Sequence, residues 1–450
     1  MMCSVVLLSW KWSLVSLAGV LALWMLNREF VEYASVRTKR MRTVVYVLLL
    51  IAQLHALGAG GVAGIFAAAA EGLKKKLLTL RAYSRSAIEL FIKANATPQQ
   101  VSFFVTNRCN LNCPHCFVEH TECEELKPDE IDQLTRRMPR INYVTITGGE
   151  PFLRSDIAAI AHVLHRNLKP LVIMINTNGY LTEIVLAGVK EILDLCPGQN
   201  ILLKISLDGP RQVHDEMRQE VGSFDKASAT YARLDKLKQS YNNLSLGIIT
   251  TYTRQNKEAI EPFYDNIIAK LKPDQYAVNL QRPKAANELN EEVTIHDFRI
   301  LYDRINAKAA PYADGFTKKI RLAYKVKIIE KLEEIYMTKR YPVSCFAGIL
   351  NVVIGANGDV TGCEQLAVKL GNVRDSGYNW EKIWHSDKAK EFRKKIRKKP
   401  CFCLNECFLS FNLMYSIKEL PGILRIFIRQ CNRKRLMDEQ RHDSVGRGTL

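Results

Sequence analysis

Three cysteines stand within eight positions in VTNRCNLNCPHCFVEH (105–120): Cys109, Cys113 and Cys116, spaced C-x3-C-x2-C. Thiolates select zinc, copper(I) or iron–sulfur clusters. A structural zinc closes four ligands, commonly as paired C-x2-C units. Here Cys123, His115 or His120 would have to supply the fourth. A cubane cluster normally takes four thiolates; held by three, it keeps one iron open to an external ligand, which turns an electron carrier into a catalyst. The spacing favours the cluster over zinc. A second group runs Cys345, twelve residues, Gly358, four residues, Cys363, and then Cys401, Cys403 and Cys407 in CFCLNEC. Five thiols in that span indicate another metal site, with zinc again the rival ligand.

The remaining cysteines, Cys3, Cys123, Cys196 and Cys431, read as ordinary thiols, and twelve in 450 residues is not the density of a disulfide scaffold. The clustering fits a reducing compartment. The formal charge of +18 is concentrated at 37–42, 73–76, 393–399 and 424–435, beside apolar segments. That placement suits an anionic membrane surface and disfavours nucleic acid. Residues 12–26 and 43–70 carry no charged side chain. The second run exceeds the roughly 20 residues that span a bilayer, so membrane attachment is expected. A cleaved signal peptide fits poorly, because no basic region precedes the first run.

From residue 101 onward strand-like and helix-like runs alternate. Strands are expected at 101–105, 141–147, 171–177, 201–207, 244–252 and 275–280, and helices near 128–138, 155–167, 182–195, 224–240 and 257–271. Such βα units imply an α/β fold, a parallel sheet curled into a partial (βα)6 TIM-like barrel. Chemistry in such folds gathers at the carboxyl ends of the strands. The cysteine loop, GGEP (148–151), NTNG (176–179) and SLDG (206–209) all lie just beyond expected strand ends, so one mouth should collect them. The expected divisions are 1–70 hydrophobic membrane-associated helices, 71–100 a basic linker and 101–284 the barrel. Residues 285–340 then form a helical connector, 341–410 a C-terminal cysteine-rich extension and 411–450 a basic amphipathic tail.

C-x3-C-x2-C after the first strand, GGEP after the second and SLDGPRQVHDEMR (206–218) after the fourth resemble the radical S-adenosylmethionine (SAM) superfamily. The resemblance covers roughly 101–280. It implies that Cys109, Cys113 and Cys116 hold a [4Fe–4S] cluster whose open iron is chelated by SAM. Reductive cleavage of SAM there gives a 5′-deoxyadenosyl radical that abstracts a substrate hydrogen. It further implies that Gly148, Gly149, Glu150 and Pro151 meet the SAM amino group, that Asn176 lies on the loop after the third strand, and that Ser206, Asp208 and Arg218 contact its ribose or carboxylate. His214 and Asp215 are as suited to ordering that loop as to touching ligand. Without the cysteines, GGEP would read as a turn with an exposed Glu.

The C-x12-G-x4-C start resembles the SPASM/twitch extension, which carries auxiliary [4Fe–4S] clusters. A full extension uses seven cysteines for two clusters, and this chain offers five, so one auxiliary cluster is the economical reading. Its candidate ligands are Cys345, Cys363, Cys401, Cys403 and Cys407, with Cys403 or Cys407 spare. Glu364 resembles the position of an acidic base in some peptide-modifying relatives, though a solvent-exposed Glu is the plainer reading. The expected function is radical hydrogen abstraction from a peptide or lipid-like substrate, with a reductant such as flavodoxin or ferredoxin and with membrane lipids as partners. Cluster and SAM chemistry imply that the domain from 101 onward faces the cytoplasm. The rival reading is a non-catalytic, membrane-anchored iron–sulfur or zinc protein acting in electron transfer or binding.

Overall fold

Six strands run parallel and in chain order: β1 (Gln100–Thr106), β2 (Tyr143–Gly148), β3 (Val172–Thr177), β4 (Ile201–Ser206), β5 (Leu244–Tyr252) and β6 (Gln275–Leu280). The computed structural model describes residues 97–282, 294–309, 316–366, 368–398 and 401–430. The chain divides into two compact units, one of them Glu89–Ala313 with Lys319–Leu450, and the description concerns that one. The strands alternate as a two-residue period requires. Val101, Phe103 and Val105, Val144 and Ile146, Ile173 and Ile175, and Ile201, Leu203 and Ile205 are buried in one core. The opposite positions, among them Phe104, Thr147, Asn176, Lys204 and Ser206, are only partly buried and line the inner face.

Helices cover the outer face. They are α1 (Pro128–Thr135), α2 (Ile157–Leu168), α3 (Thr182–Leu195), α4 (Arg211–Arg218) and α5 (Ser223–Leu237). After β5 comes α6 (Ile260–Phe263), which runs through a π-helical stretch, Tyr264–Ile268, into Ala269–Leu271. Apolar residues at helical spacing, such as Ile157, Ile160, Ala161 and Leu164, face the sheet. Sequence reading carried the chain from DGP directly to a helix near 224–240. The structure inserts the short α4, ended by Gln219 in the left-handed region, and α4 carries Arg218 into the site.

The expected partial barrel is present and open. The sheet order is β6-β5-β4-β3-β2-β1-β7-β8-β9, so its edges are β6 and β9 and do not meet. Strand β7 (Asn351–Ile354) lies parallel to β1, while β8 (Asp359–Thr361) and β9 (Lys369–Asn372) continue antiparallel. The cysteine-rich extension therefore shares one sheet with the barrel. Gly358, the glycine of C-x12-G-x4-C, sits in the β7–β8 turn at φ +85°, where a side chain is strained. The charged connector is also part of the core: α7 (Ile295–Ala309) and α8 (Phe316–Thr338) bury Phe298, Leu301, Ile329 and Leu332.

Three short helices complete the extension: α9 (Trp380–Trp384), α10 (Asp387–Arg397) and α11 (Glu406–Met414). Residues 411–415, expected to open a basic amphipathic tail, are packed into the extension: Phe411 and Tyr415 form a small core with Ile349 and Leu350. The apolar runs 12–26 and 43–70, the basic linker up to residue 96 and residues 431–450 lie outside the described residues. Among those described, no helix is long and apolar enough to cross a membrane.

One strap joins the extension to the barrel. Arg374, after β9, gives Glu130 two hydrogen bonds, at 2.7 and 3.1 Å, and reaches the carbonyls of Glu124 and Glu125. Tyr378 OH adds a third, at 2.7 Å. Arg374, against the cost of burial, holds the Glu130 carboxyl down to about 2. A carboxylate whose folded pKa is depressed stabilises the fold above its unfolded pKa and loses that contribution as pH falls through the folded value. Glu130→Gln should therefore cost on the order of 3 kcal/mol at pH 7. Urea unfolding should show the gap to wild type roughly halved near pH 3.

Candidate active site

The Cys109–Cys116 loop leaves the end of β1 and is stitched to the end of β2 by backbone. Gly149 N–H donates to Thr106 O at 2.8 Å, and Glu150 N–H to Arg108 O at 2.9 Å. A Cβ on Gly149 would stand 2.0 Å from Arg108 O, and one on Gly148, at φ +138°, 2.1 Å from Thr106 O. Only glycine allows this approach. Glu150 is 1 % exposed, so the plain reading of GGEP as a turn with an exposed Glu does not hold. Its carboxylate accepts from Asn178 N–H (2.7 Å), Thr177 Oγ1 (2.9 Å) and Phe152 N–H (3.1 Å). Burial pushes its carboxyl up to about 7, against those hydrogen bonds. Glu150 thus fastens the loop after β3, with Pro151 opening a short helical turn behind it.

Of the NTNG residues, Asn178 stands nearest the thiols, a position sequence reading did not single out. Its Nδ2 donates to Asn110 Oδ1 at 2.9 Å and lies 3.9 Å from Cys109 Sγ. Asn176 is on the inner face, its Oδ1 buried without a partner. Ser206 ends β4 on that same face. Asp208 is buried and ion-paired to Arg218 at 2.5 Å, and it accepts from Thr251 N–H at 2.8 Å. Burial opposes its charge, but Arg218, with His115 and His214, keeps the carboxyl below its usual range. Arg218 Nη1 reaches Cys113 Sγ at 3.6 Å. Burial pushes the Cys113 thiol up, and Arg218 draws it partway back.

His214 and Asp215 order this loop. His214 Nδ1 accepts from Asp208 N–H at 3.1 Å, and burial presses the imidazole down to about 4. Asp215 accepts from Gly222 N–H, Ser223 Oγ and Phe224 N–H at the start of α5. Cys116 Sγ lies 3.9 Å from His120 Nε2. Among the described residues, no three His, Cys, Asp or Glu side chains form a single-ion site.

In the extension, burial, with smaller contributions from Cys363 and Cys401, pushes the Cys345 thiol up to about 12. Cys403 is raised in the same way by burial and by Cys363, Cys345 and Cys401. Cys345, Cys363, Cys401 and Cys403 thus lie within electrostatic reach of one another. Cys407 faces elsewhere: Arg282, just past β6, donates to its Sγ at 3.3 Å. Arg282 also pairs with Glu364 at 2.8 Å and stacks 5.2 Å from the Phe117 ring. Glu364, with a side chain only 10 % exposed, accepts a further hydrogen bond from Asn405 at 3.2 Å, so the solvent-exposed reading fails. No sequence signal marked Arg282, whose position next to both cysteine groups arises from the sheet's curl.

Comparison with known proteins agrees with this geometry. Residues 103–267 match the Radical SAM superfamily and residues 345–408 the SPASM iron–sulfur cluster-binding domain. The chain is 27% identical over 318 residues to an AdoMet-dependent heme synthase of Methanosarcina barkeri, covering 66% of this chain and 84% of that protein. It is 25% identical to the antilisterial bacteriocin subtilosin biosynthesis protein AlbA of Bacillus subtilis, over 68% of this chain and 65% of that one. The fold is shared with Streptococcus suis SuiB bound to its precursor peptide SuiA (TM-score 0.51, 16% identity, 76% and 79% of the two chains). It is also shared with anSMEcpe bound to AdoMet and a Cp18Cys peptide (TM-score 0.50, 14% identity, 74% and 99%).

The fold and the two domains define a radical SAM enzyme with a SPASM extension. Its cofactors are a [4Fe–4S] cluster, SAM and an auxiliary cluster. The residues fit them: the mouth offers three thiols and buried polar atoms without partners, among them His115 Nδ1, Asn176 Oδ1 and Arg218 Nε. Asp208→Asn should leave the buried Arg218 guanidinium uncompensated, at a cost of about 3–5 kcal/mol. Urea unfolding of the metal-free protein checks this, and adding Arg218→Met should recover most of the loss.

Proposed function

We propose that Cys109, Cys113 and Cys116 hold the SAM-cleaving cluster, and that the substrate sits on the inner face of the sheet between that loop and the extension. The observation that supports this most is the approach of Arg218 to Cys113 and of Asn178 to Cys109 at one strand-end mouth. Bound there, the cluster and SAM supply one-electron reduction and hydrogen-atom abstraction. The chain's own work is to place them. The Gly148–Gly149 approach sets the height of the cysteine loop, and Glu150 locks the loop after β3. Asp208 holds the Arg218 cation against Cys113, where it offsets thiolate charge in a poorly solvated setting. Asn176 and Ser206 offer polar atoms toward the space a bound ligand would fill.

The auxiliary cluster, in this reading, uses Cys345, Cys363, Cys401 and Cys403, and Cys407 is the spare thiol. Glu364, held by Arg282 and Asn405, faces the substrate side as the candidate base. A carboxylate-bearing substrate, peptide or tetrapyrrole, is the reading that relatives named for heme and bacteriocin biosynthesis support. A lipid-like substrate rests on the apolar N-terminal composition, its basic flanks and the apolar, basic 411–435 segment, of which Phe411 and Tyr415 are packed in the extension. That composition supports membrane attachment through 43–70 with the catalytic domain on the cytoplasmic side. A reporter fused after residue 95 should read cytoplasmic; a periplasmic signal would reverse this.

Two measurements check the proposal. After anaerobic reconstitution, reduced wild type should release 5′-deoxyadenosine from SAM, and Cys113→Ala should fall at least a hundredfold. No 5′-deoxyadenosine from wild type would defeat the proposal. Cys407→Ser should keep the iron content of wild type, while Cys403→Ser should lose up to four irons, measured by iron and sulfide analysis.

A further inference from the structure

A lysine interrupts the apolar run of β4. In ILLKIS, Ile201, Leu203 and Ile205 enter the core against the helices, so Lys204 projects to the inner face, two residues before Ser206. At about 3.3 Å per strand residue, its Cα lies some 7 Å below the strand end. Its register partners are Asn176 on β3 and Gly247 on β5. Gly247 is what makes room: a Cβ there would press on Lys204 Cγ at 3.1 Å.

Lys204 has no hydrogen bond or ion pair among the described residues. Lys325 reaches in from α8 and is close enough that the two ammonium charges act on each other. It places one of its three donors, on Tyr276 O at 2.9 Å. Glu406 lies within electrostatic reach of Lys204, Lys325 and Arg282 alike, so one carboxylate serves three cations. Glu406 accepts from Leu280 N–H at 2.7 Å, and Glu364 is paired with Arg282. Four cations, Lys204, Lys325, Arg282 and Arg321, thus share two carboxylates, Glu406 and Glu364. A poorly solvated ammonium without a partner is costly, and an apolar chain of equal length would stabilise the fold more.

We propose that Lys204, with Lys325 beside it, is an anion subsite that binds a carboxylate of the substrate one layer beneath the reacting centre. The geometry that carries this is an unpaired lysine on the inner face, opposite a strand glycine and next to a second, underused lysine. The inference rests on the reading that substrate occupies the inner face. Its role is positioning: an anchored carboxylate fixes which hydrogen the radical meets.

The test uses glutarate as probe and its dimethyl ester as control, with the reconstituted full chain, without SAM or reductant, by saturation-transfer NMR. Because no SAM cleavage is involved, failure of the proposed reaction and failure of the subsite are read separately. Wild type should bind glutarate and not the ester. Lys204→Met should weaken glutarate at least tenfold, Lys204→Arg should restore most of it, and Lys325→Met should weaken it severalfold. In urea, Lys204→Met should unfold at the same or a higher denaturant concentration than wild type. Absent glutarate binding in wild type, undiminished binding in Lys204→Met, or a clearly destabilised Lys204→Met would each overturn the subsite.

Discussion

The backbone of Gly148–Glu150 lies against that of Thr106–Arg108, and the rest of the mouth follows from that approach. Two N–H···O bonds hold the ends of β1 and β2 together beyond the regular ladder, at a distance where any Cβ would collide with a carbonyl oxygen. The cysteine loop therefore starts from a fixed height above the sheet. The same turn carries Glu150 inward, where its carboxylate organises the β3 loop through Thr177 and Asn178. Asn178 in turn reaches back toward Cys109. A backbone constraint two residues long thus sets three loops.

Buried charge is used sparingly and in pairs. Asp208 and Arg218 meet beneath Cys113, and Arg282 and Glu364 meet where the extension faces the barrel. A buried ion pair adds little net stability but is costly to half-remove, so such pairs fix geometry more than they hold the fold. Arg282 is the hinge of this arrangement. It stacks on Phe117, next to Cys116, and bonds both Glu364, next to Cys363, and Cys407. One guanidinium thereby sets the relation between two cysteine groups far apart in sequence. Lys204 departs from the pairing rule, which is why it reads as a ligand group.

The extension is continuous with the barrel. Strand β7 adds to the free edge of β1, and the β7–β8 turn and Arg374 tie the cysteine-rich segment to the loop before α1. Covering the β1 edge also removes an unpaired row of backbone groups that would otherwise invite intermolecular pairing. The opposite edge, β6, has no second strand beside it among the described residues; α8 and α11 bond it instead, Lys325 to Tyr276 O and Glu406 to Leu280 N–H.

Much of this was legible in the residues. Strand alternation and helix spacing located β5 and β6 and the ends of α3 to the residue, because local hydrophobic periodicity decides such elements. Thiol spacing and GGEP marked the mouth, because ligand number and glycine conformation are properties of short segments. The roles within the motifs were less legible. The buried, fully engaged Glu150, the enclosed Glu364, the loop-ordering His214 and the separation of Cys407 from Cys345, Cys363, Cys401 and Cys403 all depend on neighbours remote in sequence. Lys204 stood out in ILLKIS, but its lack of a partner could be seen only once Gly247, Lys325 and Glu406 were placed around it. Sequence by itself determined which groups could do chemistry and at which strand ends they stand. Tertiary structure decided which of them face one another, because desolvation and pairing of charge arise only when distant segments exclude water together.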